Sequence, residues 1–138
     1  MKIATLILGL VFTSLIATAQ DKDGVTITVT VENVLSSEGK IIGALHTDAT
    51  FMKGPGVVNE VIDAVKGEVT LTFTNVQPGT FAVMLLHDGN NNNRMDFEAN
   101  GMPKESYATT GELAFGPPSF ASSKFEVADK DLDFTVRF

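Results

Sequence analysis

Val25-Thr26-Ile27-Thr28-Val29-Thr30-Val31-Glu32-Asn33-Val34 is the stretch on which the reading of the fold turns. Val25, Ile27, Val29 and Val31 alternate with Thr26, Thr28, Thr30 and Glu32. A period of two places the apolar side chains on one face of an extended chain, and β-branched residues suit that backbone. The pattern predicts a half-buried strand. Glu68 to Val76 repeats it, with Val69, Leu71 and Phe73 alternating with Thr70, Thr72 and Thr74. Gln77-Pro78-Gly79-Thr80 follows as a tight turn, with Pro setting φ and Gly supplying a left-handed position. Phe81 to His87 is apolar on both faces, which predicts a central strand.

Outward from these, Ser36 to Lys40 reads as a turn and Ile41 to His46 as a short strand, so the first two strands are expected to pair as a hairpin. Gly54-Pro55-Gly56 breaks the chain. Val57 to Val65 fits both a helical stripe (Val57, Val58, Val61, Ile62, Val65) and a strand; the strong strands on either side favour the strand. Lys124 to Val127 and Leu132 to Phe138 read as a closing strand pair around Asp129-Lys130. The sum is an all-β chain: a single Ig-like or prealbumin-like antiparallel β-sandwich of about seven strands, with one long irregular loop from Asp88 to Phe120. Both strand orders share this pattern. The terminal Phe138 also suits an outer-membrane barrel, but that fold needs longer strands and aromatic girdles. This chain has no Trp and one Tyr.

The first residues carry a different signal. Lys2 is the sole charge before Asp21, Ile3 to Ala17 is almost wholly apolar, and Ala17-Thr18-Ala19 offers small residues at the positions a signal peptidase reads. This predicts a signal peptide over residues 1–19 and a β-sandwich domain over residues 20–138, exported to the periplasm or beyond the cell. The apolar run is shorter than the ~20 residues a spanning helix requires, so no membrane span is expected in the mature chain. With no Cys, neither a lipoprotein anchor nor a disulfide is available. The formal net charge is -7. That sign repels phosphate backbones and anionic lipid, so nucleic acid is not an expected partner.

Longer motifs carry a resemblance. Val76-Gln77-Pro78-Gly79-Thr80-Phe81-Ala82-Val83 resembles the turn of transthyretin-like, prealbumin-type sandwiches. His87-Asp88-Gly89-Asn90-Asn91-Asn92-Asn93-Arg94-Met95-Asp96, Gly101-Met102-Pro103-Lys104-Glu105 and Phe115-Gly116-Pro117-Pro118-Ser119-Phe120 together resemble an exported bacterial family known as domain of unknown function 2141. The resemblance runs from about Val25 to the C-terminus. It implies a secreted sandwich and no established activity, and fold analogy alone supplies none.

One segment has the spacing of a cation loop. Asp88, Asn90, Asn92 and Asp96 stand at positions 1, 3, 5 and 9 of a calcium-loop pattern, with the Arg94 carbonyl at position 7 and Glu98 close by. Alternate oxygen ligands let a tight loop point several at one ion. The departures are Asn93 where a Gly is normal and Ala99 where a bidentate Glu belongs. With so few carboxylates a site would be weak, about 10⁻⁴–10⁻³ M. The competing reading is a structural turn: Asn, Asp and Gly form turns, and Asp88 and Asp96 would then bind backbone amides inside the loop.

Weaker candidates remain. His46 and His87 each end a predicted strand and would form a transition-metal pair if adjacent, or else each would satisfy a loop group. Glu105 and Glu112 flank Tyr107, a carboxylate pair of the kind glycoside chemistry uses. Phe115, Pro117, Pro118 and Phe120 would pack the loop back on the sandwich. No nucleophile elbow or ordered triad is visible, so no catalytic residue is assigned. The leading expectation is a non-catalytic exported module binding a protein or carbohydrate through the long loop, with Ca2+ as the one cofactor suggested. The alternatives are a metal-assisted hydrolase using His87, Asp88 and Asp96, and a structural or carrier protein without a discrete site.

Overall fold

A computed structural model describes residues 23–112 and 115–138. The predicted signal segment lies outside the described residues. The chain forms β1 (Val25–Val34), β2 (Lys40–His46), β3 (Val58–Asp63), β4 (Gly67–Val76), β5 (Gly79–Asp88), β6 (Tyr107–Thr109), a one-turn helix α1 (Phe120–Ser123), β7 (Phe125–Val127) and β8 (Leu132–Arg137). They make two sheets, a three-stranded one in the order β4-β1-β8 and a five-stranded one whose main path is β3-β2-β5-β6. β7 pairs with β5 beyond the end of β6. The sandwich architecture and the long excursion after β5 are as expected, and the ambiguous segment around Val61 is the strand β3.

The alternation explains the core. Ile27 faces Phe73, Val29 faces Leu71 and Val31 faces Val69 across β1 and β4. These side chains are buried, with Ile41 and Leu45 of β2 and Val83 and Leu85 of β5 supplying the opposite layer. Gly43 sits where the layers meet: a Cβ there would lie 2.6 Å from Leu71 Cδ2 and 3.2 Å from Leu85 Cδ2. Phe125 and Phe134 close the lower seam, with ring centroids 4.5 Å apart.

Three expected pairings are corrected. β1 and β2 are not a hairpin: β1 lies in the three-stranded sheet and β2 in the five-stranded one. Turn chemistry between two strands cannot distinguish a hairpin from a crossing between layers. β7 and β8 are likewise not a pair; β7 joins β5 and β8 joins β1. The pairing of β8 with β1 is parallel, so the sandwich is not purely antiparallel. Asn33 (φ 60°) and Asn75 (φ 54°) take left-handed conformations beside the two irregularities in the β1–β4 ladder. Short polar side chains tolerate that region.

Because Phe73 is fully buried, Phe73→Ala should cost about 3–5 kcal/mol. Thr72→Ala, on the exposed face of the same strand, should cost under about 1 kcal/mol. Urea unfolding of both variants measures the difference.

Candidate functional site

Asp88 ends β5 opposite Lys40 of β2. It is 0 % exposed. The Asn92 N–H donates to its Oδ1 at 3.1 Å and the Asn93 N–H to its Oδ2 at 2.8 Å. Lys40 Nζ lies 3.9 Å from Oδ2 and also donates to Asn93 Oδ1. A buried carboxylate thus draws the loop back over the end of the sheet. Asn91 (φ 57°) and Asn93 (φ 64°) make the reversal in the left-handed region. That is why an Asn run serves here: Asn tolerates positive φ better than other residues with a side chain.

Asp96 collects the other side of the loop. Asn90 Nδ2 donates to it at 2.7 Å, and Asn92 Nδ2 reaches both carboxylate oxygens at 2.9 and 2.8 Å. The hydrogen bonds from Asn90, then Asn92, hold its carboxyl below the usual carboxylate range, helped by Arg94 and Lys104. The Asp96 N–H donates to Glu105 Oε2 at 3.1 Å. From there Phe97 bridges Pro103, and Gly101 (φ 84°) turns the tip of a small antiparallel finger.

Of the six residues read as cation ligands, four form one connected set: Asp88, Asn90, Asn92 and Asp96. Arg94 joins through its N–H, which donates to Asn92 Oδ1 at 3.1 Å. Glu98 stands exposed on the finger. The oxygens suit a hard cation in type. Their hydrogen bonds are nonetheless complete within the loop. Both Asp88 oxygens take backbone N–H groups beside the Lys40 ammonium, and Asn90 Oδ1 accepts from the Asn92 N–H at 3.3 Å. Among the described residues, no three His, Cys, Asp or Glu side chains cluster to hold a metal. An ion would have to displace the amide nitrogens from Asp96 and turn both Asn oxygens toward it.

The histidines are not neighbours. His87 pairs with Ile41 at one end of β2, and His46 lies at the other end opposite Ala82. His87 Nε2 is 2.8 Å from the Glu38 carbonyl oxygen, and its ring stacks on Phe138. Adjacent strand residues point to opposite faces, so His87 and Asp88 do not share a site. His46 contacts Thr50 Oγ1 at 3.2 Å through Nδ1 and meets Phe51 edge-on. Burial pushes its pKa below the ordinary 6.5, against a backbone contribution from Thr50. Glu105 is engaged with Asp96, and Glu112 is exposed. In the aromatic–proline segment, Phe120 packs on Phe51, while Phe115 is fully exposed.

Sequence reasoning missed the outer face of the five-stranded sheet. Gly43 and Leu85 face the core, so Ile42, Ala44, Met84 and Leu86 face outward. Register aligns Val61, Ile42, Leu86 and Tyr107 in one row across four strands, and Asn59, Ala44, Met84 and Thr109 in the next. Val61 is 54 % exposed and Tyr107 39 %. The signal was present: β5 is apolar on both faces. It points to a central strand, and β5 does lie between β2 and β6, but it does not say what the outward side chains face.

The fold and the loop together define a small, nearly all-β protein whose longest excursion is organised by two aspartates. The chain matches, over residues 29–135, the family described as "Uncharacterized protein conserved in bacteria (DUF2141)", and it belongs to that family. No curated protein and no solved structure matches it.

Two predictions follow from the charges. The folded state holds His46 neutral, with a pKa below 6.5, whereas the unfolded chain takes up a proton near 6.5. Stability is therefore full above that pH and is lost as pH falls through it. Melting temperature should drop between pH 7 and pH 5, and His46→Gln should flatten that slope. Asp96 acts in the same direction at lower pH: its stabilisation is lost as pH falls below 3.8. Separately, Asp88→Ala removes the buried acceptor of the Asn92 and Asn93 N–H groups and should cost about 1–3 kcal/mol. Amide exchange in residues 90–94 should rise faster than in β1.

Proposed function

We propose that this protein is an exported, non-catalytic binding module of the bacterial envelope or its surroundings, and that the Asp88–Phe120 excursion is its working surface. The observation that carries this reading is the combination of anchorage and exposure in that loop. Buried Asp88 and the Asp96 network fix it, yet Phe97 and Met102 stand 58 % and 61 % exposed upon it. Apolar side chains held outward on an anchored loop are what a binding surface requires, because little ordering entropy remains to be lost on contact. The ligand class is a protein or a carbohydrate. The hydrolase alternative has no comparable support, since His87 is committed to Glu38 and Phe138.

A second reading belongs to the same loop: weak binding of Ca2+ by Asp88, Asn90, Asn92 and Asp96, with the Arg94 carbonyl and Glu98 completing the set. Its support is the convergence of Asn90 and Asn92 on Asp96. At about 10 mM calcium, a dissociation constant of about 10⁻⁴–10⁻³ M stabilises the fold by about 1–3 kcal/mol. A melt with calcium and then with excess chelator should show a rise of several degrees that Asp96→Ala abolishes. An unchanged melt leaves the loop as a turn held by its own amides. Export is tested by mass: protein recovered outside the cytoplasm should begin at Gln20, and retention of residues 1–19 would count against it.

A further inference from the structure

We propose that the outer face of the five-stranded sheet docks an amphipathic helix with basic flanks. This rests on reading the domain as a binding module, but not on the loop's taking an ion. A sheet that is apolar on both faces must cover the second one with another layer. Here Val61, Ile42, Leu86 and Tyr107, with Ala44 and Met84 beside them, form such a face. Ile42, Met84 and Leu86 are partly exposed and stand apart from the side chains packed on the core. The opposite sheet shows the contrast. Its outward row is Thr72, Thr28 and Asp133, and the next is Thr70, Thr30 and Thr135. Water satisfies that face; it does not satisfy the other.

The molecule's own structure bounds the strip. At one end Lys40 and Asp88 lie under the Asn91–Asn93 reversal. At the other, His46 lies against Phe51, which packs on Phe120 of α1. Among the described residues, the row Val61, Ile42, Leu86 and Tyr107 remains open with Met84 beside it, while Ala44 is buried next to Gly56. Rows lie about 7 Å apart along the strands, and the four strands span about 14 Å. That is the footprint of roughly three turns of one helix, about 10 Å wide, and is too narrow for a second sheet.

Charge selects the occupant. The net charge of -7 repels a second copy and an anionic lipid surface alike. Asp63 of β3, on the same face as Val61, and Glu105 before β6 border the strip, while Lys40 is engaged with Asp88 and Asn93. An apolar stripe flanked by Lys or Arg complements this arrangement.

The test is titration of the ¹⁵N-labelled protein with a synthetic peptide about 14 residues long, roughly four turns. It carries Leu at i, i+3, i+4 and i+7 and Lys elsewhere. Saturable shifts are expected at Ile42, Ala44, Val61, Met84, Leu86 and Tyr107. Val61→Lys and Tyr107→Lys, both at exposed positions, should weaken binding about tenfold or more. Thr72→Lys on the other sheet adds the same charge and should leave binding unchanged. Equal binding of a control peptide with Ser for Leu would reduce the effect to charge and overturn the proposal. So would shifts confined to Phe97 and Met102, which would instead support the loop surface, or no shift at about 1 mM peptide. Dimerisation through the strip on sedimentation would overturn it in favour of a second copy.

Discussion

The contact on which this structure depends is the meeting of Leu71 and Phe73 with Leu85 over the bare backbone of Gly43. With no disulfide in the chain, the two sheets are joined by apolar packing across that gap, and their separation follows from what Gly43 leaves open. The long loop and the outer strip are both hung from the five-stranded layer that this contact positions. β5 runs through its middle, supplies Leu85 to the core, presents Leu86 outward, and ends in the carboxylate that governs the long loop.

Asp88 is an unusual device for that task. A carboxylate out of contact with water is costly unless its charge is met. Two backbone N–H groups and a lysine meet it here, so the cost becomes directionality: the chain beyond β5 has one low-energy route. Asp96 then repeats the arrangement in a wetter setting, with side-chain amides as donors. The same residue types that suggest an ion site serve as their own counter-charges and donors. This is why the spacing of Asp88, Asn90, Asn92 and Asp96 does not by itself distinguish a ligand set from a turn.

What could be read in advance divides along physical lines. Alternation in β1 and β4 is a local property, and it announced both strands and the inward side chains Ile27, Val29, Leu71 and Phe73. The breaks at Pro78-Gly79 and Gly54-Pro55-Gly56 were equally plain. Pairing is not local. Nothing in Ser36–Lys40 says whether the chain turns back on β1 or crosses to the other layer, and nothing in Asp129–Lys130 says that β8 will lie parallel to β1. The loop's candidate residues were legible because turn formers and oxygen ligands are the same few side chains. Lys40 and Glu105 were not, because they arrive from outside the motif. The excess hydrophobicity of β5 announced a central strand, as it is, but not the outer strip, since a central strand covered on both faces and one with an open face have the same composition.

The parallel pairing of β1 with β8 has a kinetic meaning. The Thr26 N–H donates to Asp131, 105 positions along the chain, and the central strand of the three-stranded sheet has no neighbour on that side until β8 arrives. Contacts of such span close slowly, because the loop entropy is lost before the packing is gained. A nascent chain would therefore remain unlocked until β8 has emerged. For a protein proposed to cross a membrane as an open thread, that delay is useful: β1 keeps an open edge until β8 has followed it across.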